Sequence, residues 1–179
     1  MYKRQSRNRA VAAELNRAGL GTLLFDLLSE AEAADRAHVF DTPLLAGRLA
    51  GAAEWTAGQP GVSGLPLGYF GASTGAAAAL WAAGDPASPV AAVVSRGGRP
   101  DLAADRLAGV RAPTLLVVGG EDPLVLDLNR RAGALLRCEN RLAVVEGAAH
   151  LFEEPGALEE VAELATSWFT GHFRHGDTP

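Results

Sequence analysis

Residues Leu65 to Leu80 read LPLGYFGASTGAAAAL, a short apolar run that passes into an Ala-rich one with a lone Ser73 set between small residues. Leu65 to Phe70 has the uniform apolar character of a buried strand, and Thr74 to Ala83 that of a helix. Between them Gly71-Ala72-Ser73-Thr74-Gly75 fits G-x-S-x-G, the strand-turn-helix in which a serine sits on a strained turn with its hydroxyl exposed above a sheet. Gly71 and Gly75 flank the serine where side chains would collide as strand and helix cross.

Ser73 stands at the positive end of the expected helix, which favours developing negative charge. The N–H of Thr74 is then placed to hold the oxyanion formed when a carbonyl is attacked. The same five residues also suit a tight turn whose serine merely caps the helix. The flanking strand and helix, and residues further along the chain, favour a nucleophile.

Downstream, Gly84-Asp85-Pro86 breaks the chain, Val90 to Ser95 is the next buried strand, and Arg96 to Pro100 makes a glycine-containing turn. Thr114 to Val118 and Arg141 to Val145 are further strands, separated by a helix from Leu124 to Arg137, and Pro155 to Phe173 is an amphipathic closing helix. Upstream, Thr42-Pro43 gives an N-cap followed by proline at the first helical position, for a helix to about Ala57, and Gln59 to Gly64 is a loop. Asn8 to Arg17 opens as a helix stopped by Gly19 and Gly21. Gly21 to Leu28, GTLLFDLL, reads as a fifth buried parallel strand, and Glu30 to Arg36 as a solvated loop or helical turn. Strands alternating with helices predict an α/β fold, a mostly parallel sheet with helices on both faces. With 179 residues and no repeat or linker, residues 1–179 form a single domain.

In such a sheet catalytic groups collect at the carboxyl ends of the strands. Ser73, Asp122 and His150 each follow a different expected strand at that end. A serine hydroxyl is a weak nucleophile, a neutral imidazole can take its proton, and a carboxylate fixes the imidazole's tautomer and stabilises its charged form. His150 alone would read as a loop histidine, and Asp122 as a turn aspartate before Pro123. Asp101 is the reserve acid and Glu121 a weaker one. His38, His172 and His175 lie in polar or terminal segments and are expected at the surface. Cys138, at a helix end, reads as buried filler. Arg96 and Arg99 follow the third expected strand and are candidate substrate-binding residues for an anionic group, against the alternative that they pair with carboxylates such as Asp101 or Asp105.

A net charge of −5 gives no basic footprint for nucleic acid. The single cysteine excludes an internal disulfide and suits a reducing compartment. No apolar run is long enough to span a membrane and no signal-peptide core is present, so a cytoplasmic location is expected. Nothing in the proposed chemistry calls for a metal or organic cofactor. The glycines Gly68, Gly71 and Gly75 do not have dinucleotide-binding spacing, and no lysine follows a glycine run as a phosphate-binding loop requires.

Together GYFGASTGAAAAL, AVVSRGGRPDLA, APTLLVVGGEDPLV and GAAHLFEEPGALEEVA resemble the dienelactone-hydrolase-like alpha/beta-hydrolases of bacteria, over about Asn8 to Phe173. The resemblance implies Ser73 as nucleophile, Asp122 as acid and His150 as base, in the chain order of that fold. It implies a serine hydrolase acting on a small-molecule carboxylic ester, lactone or related acyl substrate; the alternative is an inactive scaffold or binding protein that keeps the fold. Strict dienelactone hydrolases use a cysteine nucleophile, so their substrate is not carried over to Ser73. Members are sometimes joined to a phosphoribosyltransferase domain. In the family a strand and a His-Gly-Ser-Gly loop, source of the second oxyanion N–H, precede the helix that opens here near Asn8. Met1-Tyr2-Lys3-Arg4-Gln5 stands there instead, carries the chain's only lysine and matches what a common sequencing adapter encodes in frame. Residues 1–5 are therefore expected to be non-native and the domain to lack N-terminal strands. Family topology places the missing strand between Gly21–Leu28 and Leu65–Phe70, which are then expected to pair poorly or to close up on one another.

Overall fold

The computed structural model describes residues 2–173, with the side chains of residues 2–5 excepted. The expectations for residues 1–5 as a non-native segment and for His175 lie outside the described side chains. Helix α1 (Tyr2–Arg17) starts earlier than Asn8, since no glycine or proline interrupts its first turns, and stops two residues before Gly19, whose φ is +85°. Two single-turn helices follow, α2 (Glu30–Ala33) and α3 (Arg36–Val39), capped by Ser29 and Asp35. Helix α4 (Thr42–Ala57) has Pro43 in its first turn and Asp41 as its N-cap.

The remainder alternates as the apolar pattern predicts: β1 (Leu67–Ala72), α5 (Thr74–Ala83), β2 (Val90–Arg96), a 3-10 turn at Pro100–Ala103, α6 (Ala104–Leu107), β3 (Thr114–Gly119), α7 (Pro123–Leu135), β4 (Asn140–Val145) and α8 (Ala157–Phe173). The strands form one parallel sheet in the order β1-β2-β3-β4, with Ala72 opposite Arg96 and Gly119 opposite Val145 at its carboxyl end. β1 starts at Leu67 rather than Leu65, because Pro66 offers no N–H to a ladder and Leu65 is solvent-exposed.

Successive strand residues point to opposite faces, and each face has its own helical cover. Val94, Leu115 and Val117 pack with Val11 and Leu15 of α1 and with Val161, Ala165 and Phe169 of α8. Tyr69, Val93 and Leu116 pack on the other side with Leu45 of α4, Ala78 to Leu80 of α5 and Ala132 of α7. The observed fold is thus the α/β sheet covered on both faces.

The expected strand at Gly21–Leu28 is a correction. Those residues form no strand, and Leu23, Leu24 and Phe25 face solvent. A strand is defined by its ladder, and among the described residues β1 pairs with β2 while nothing pairs with its other edge. The stretch does not close up on β1. Polar side chains hold it instead: Thr22 Oγ1 donates to Asn16 Oδ1 at 3.0 Å, and Arg48 Nη1 donates to the Leu27 carbonyl at 2.8 Å.

Candidate active site

β1 runs directly into α5 through Ser73, whose φ of 53° and ψ of −121° lie where a residue with a Cβ is strained. The crossing is close enough that a Cβ on Gly71 would meet the Gly75 carbonyl at 2.4 Å, so the first glycine of the motif is a steric requirement. Ser73 is the N-cap of α5, yet its side chain makes no capping bond. Thr74 opens α5, among the N–H groups that a helix leaves without an intrahelical acceptor.

β3 ends in Gly119, and the turn after it brings Asp122 to the N-cap of α7, where one carboxylate oxygen accepts from Val125 N at 3.3 Å. The turn after β4 carries His150. Its Nδ1 lies 2.7 Å from the other oxygen, Oδ2 of Asp122. A carboxylate can only accept, so Nδ1 donates and Nε2 is left as the ring's acceptor. The Asp122 side chain is 15 % exposed and the imidazole 42 %, so the carboxylate is the more buried partner of the pair. The carboxylate thereby fixes the tautomer and orientation of the imidazole.

Ser73 belongs to the same carboxyl edge of the sheet. The turn after β2 is its neighbour on both sides: Ser73 N donates to the Arg96 carbonyl at 3.3 Å, and Arg99 N donates to the Ser73 carbonyl at 3.2 Å. A Cβ on Gly97 of that turn would lie 3.4 Å from the His150 carbonyl and 3.7 Å from its Cε1, so the imidazole sits directly over the turn. Among the described residues no hydrogen bond joins Ser73 Oγ to His150, an arrangement usual before substrate tightens a site.

The other candidates are accounted for by their partners. Arg99 makes a two-pronged bridge to Asp101 at 2.8 and 2.7 Å, which occupies both the guanidinium and the reserve acid. Glu121 is exposed. Arg96 is 93 % buried by its 7 % exposure; its Nη2 donates to Asn8 Oδ1 at 3.0 Å, and its Nη1 has no partner. Burial, with the charge of Arg7 as a smaller cause, lowers its pKa to about 10. His172 bonds the Trp168 carbonyl and faces Glu139, and His38 lies near Asp35, both remote in the chain from the site. Cys138 is half-buried beside Thr114, and burial pushes its thiol pKa up, which makes it a poor nucleophile. The reading from sequence missed Asn129, an asparagine in the interior of α7 at 0 % exposure that bonds the turn after β2. Its signal was a polar residue on the stripe Val125, Leu126, Asn129, Ala132 that α7 buries.

No family model matches the chain. A dienelactone hydrolase from Anabaena variabilis is 52 % identical with a TM-score of 0.89, over 94 % of this chain and 80 % of that one. A putative phosphoribosyl transferase of Mycobacterium tuberculosis is 61 % identical over 166 residues, 93 % of this chain. The chain spans 38 % of that relative's length. Est1E from Butyrivibrio proteoclasticus, at 14 % identity and a TM-score of 0.78, shares the fold. The fold is that of the alpha/beta-hydrolases. The chain belongs to the dienelactone-hydrolase-like family of that fold. No helix among the described residues is long and apolar enough to cross a membrane.

Proposed function

We propose that the protein is a serine hydrolase that cleaves a carboxylic ester, lactone or related acyl bond of a small molecule, with Ser73 as nucleophile, His150 as general base and Asp122 as its orienting acid. The observation that carries this reading is the 2.7 Å bond between His150 Nδ1 and Asp122 Oδ2, formed beside a strained Ser73 whose hydroxyl no cap occupies. Ser73 Oγ bonds to the carbonyl carbon while its proton passes to His150 Nε2. The carbonyl oxygen becomes an oxyanion, with the Thr74 N–H as one donor at the helix start. Collapse breaks the bond to the leaving group, which takes the proton from the imidazolium, and an acyl-serine remains. Water, deprotonated by the same nitrogen, repeats the sequence and releases the acid.

A fluorophosphonate probe tests it. Stoichiometric labelling that Ser73→Ala abolishes is expected; no labelling of the folded chain favours the scaffold alternative. The unpartnered Arg96 Nη1 supports a second, narrower reading in which the acyl substrate carries an anionic group. Arg99 enters that reading only if substrate displaces Asp101. Equal kcat/KM for neutral and carboxylate-bearing esters, unchanged by Arg96→Ala or Arg99→Ala, would remove it. The phosphoribosyl transfer named for the mycobacterial relative we assign to the part of that protein this chain does not span.

A further inference from the structure

We infer that Asn129 is a positioning residue for this reaction: it ties the helix that carries Asp122 to the turn on which Ser73 and His150 both rest. The inference depends on the serine-hydrolase reading and adds to it the part that sets the distance between nucleophile and base.

The three side chains of the proposed triad arise from three separate loops, and residues 96–99 bond the backbone of Ser73 and lie against His150 while reaching Asp122 only through α7. It holds Ser73 by two backbone bonds, Ser73 N to the Arg96 carbonyl and Arg99 N to the Ser73 carbonyl. It passes beneath His150 at Gly97. It is moored to the sheet by Gly97 N, which donates to the Val117 carbonyl at 2.7 Å. What ties it to α7 is Asn129, whose Nδ2 donates to the Gly98 carbonyl at 3.1 Å and to the Val125 carbonyl one turn earlier at 2.8 Å. Val125 N is itself the donor to Asp122. A continuous path therefore runs from Asp122 through Val125 and Asn129 to Gly98, and through Arg99 to Ser73.

The geometry leaves this turn little freedom to reach its place in another way. Gly98 folds back so closely that a Cβ there would stand 2.1 Å from Ser95 Oγ and 2.8 Å from Ala76 Cβ, the latter on the helix that follows the nucleophile. Ser95 and Asn129 are both wholly buried, and Ser95 Oγ and Asn129 Oδ1 lack partners. A buried amide is retained in the helix interior with only its donor side used. That is poor value for stability alone, where an apolar residue of the same shape would serve, and it fits a part whose job is to fix a distance. Displacements of about 1 Å between reacting groups lower rates by about a hundredfold.

The test uses Asn129→Leu, which keeps the branched shape and removes both bonds, and the smaller Asn129→Ser, whose hydroxyl can still back-bond the Val125 carbonyl but does not reach Gly98. Each is run well below its own melting temperature, established by circular dichroism. Expected for both is a fall of about ten- to a hundredfold in kcat and in the rate constant of fluorophosphonate labelling, with KM within about twofold. The shape of the acid limb of the pH profile should not change, because the His150–Asp122 bond is untouched. Variants that melt earlier yet label Ser73 and turn over at the wild-type rate would overturn the inference and leave the triad standing. A wild-type chain that does not label at Ser73 sinks the hydrolase reading itself, which is a distinguishable result.

Discussion

TLLVVG, at Thr114 to Gly119, and GTLLFDLL, at Gly21 to Leu28, are close in composition and opposite in fate. The first is β3, buried along its length between β2 and β4. The second is irregular, with Leu23, Leu24 and Phe25 exposed by 51, 46 and 40 %. The difference lies outside both stretches. β3 has a ladder on each side and a helical layer over each face, so its backbone groups are paired and its side chains dry. Gly21–Leu28 has no ladder; only Leu27 and Leu28, at its end, pack in part against the core, and side-chain bonds tie the stretch to Asn16 and Arg48, the latter steadied by a two-pronged bridge to Glu32 at 2.8 and 2.6 Å. That bridge holds the Glu32 carboxyl well below the usual carboxylate range. Apolar composition nominates a strand, and partners decide it.

The largest effect expected falls on the ordered side of this comparison, at the carboxyl end of β3. Asp122→Asn keeps the shape of the acid but lets Nδ1 of His150 become an acceptor, so the ring presents the wrong tautomer to Ser73. A loss in kcat of about 10⁴ is expected with little change in melting temperature. Steady-state kinetics beside a melting curve checks both; a loss under tenfold would mean that Asp122 does not orient the base.

The next effect measures the burial that separates the two stretches. Leu116→Ala, in the middle of β3 at 0 % exposure, should cost about 2–5 kcal/mol in denaturant unfolding. A cost near that of a surface change would show that the sheet is not packed as described.

Much of the ordered half is legible in the residues. The elbow at Ser73 is a local pattern, and Asp122 and His150 are legible because loops after strands gather at one edge; α5 begins and ends at Thr74 and Ala83 as expected. Legibility fails where the decisive partner is far away in sequence. Gly21–Leu28 looks like a strand because its own residues say nothing about an absent ladder. Arg96 reads as a turn arginine that binds an anionic group or pairs with a carboxylate, and its burial is not legible because its cover comes from Asn8 and Phe70, which lie in α1 and β1. Asn129 reads as one more helix residue, since its acceptor, Gly98, is 31 residues earlier.

Arg96 is the exception within the ordered half, a buried cation with one nitrogen unpaired. Arg96→Met should therefore raise stability, by about 1–3 kcal/mol, despite the lost bond to Asn8. The sign with pH follows from its lowered pKa: the folded state disfavours the cation, so the unfolded chain binds more protons between about 10 and the ordinary guanidinium range above it. The wild type then gains stability as pH rises through about 10, and the gap to Arg96→Met narrows. A variant that melts earlier than wild type at neutral pH would mean that the guanidinium is satisfied in the folded protein.

The smallest effect on stability is expected on the irregular side. Leu23, Leu24 and Phe25 are about half exposed, so replacing all three with serine removes little packing and should change the unfolding free energy by about 0.5 kcal/mol per site. The same change should act strongly on association. Three adjacent exposed apolar side chains lie in the same molecule as β1, whose outer edge no described strand pairs, and an apolar patch together with an open strand edge is a template for self-association. Light scattering against concentration should show aggregation of the wild type that the triple variant reduces, at equal melting temperature. If the substitutions instead lower stability as Leu116→Ala does, the stretch is buried in solution and the contrast with β3 disappears. If they alter neither stability nor scattering, the open edge of β1 drives association without the apolar stretch, and charged substitutions on β1 itself become the discriminating experiment.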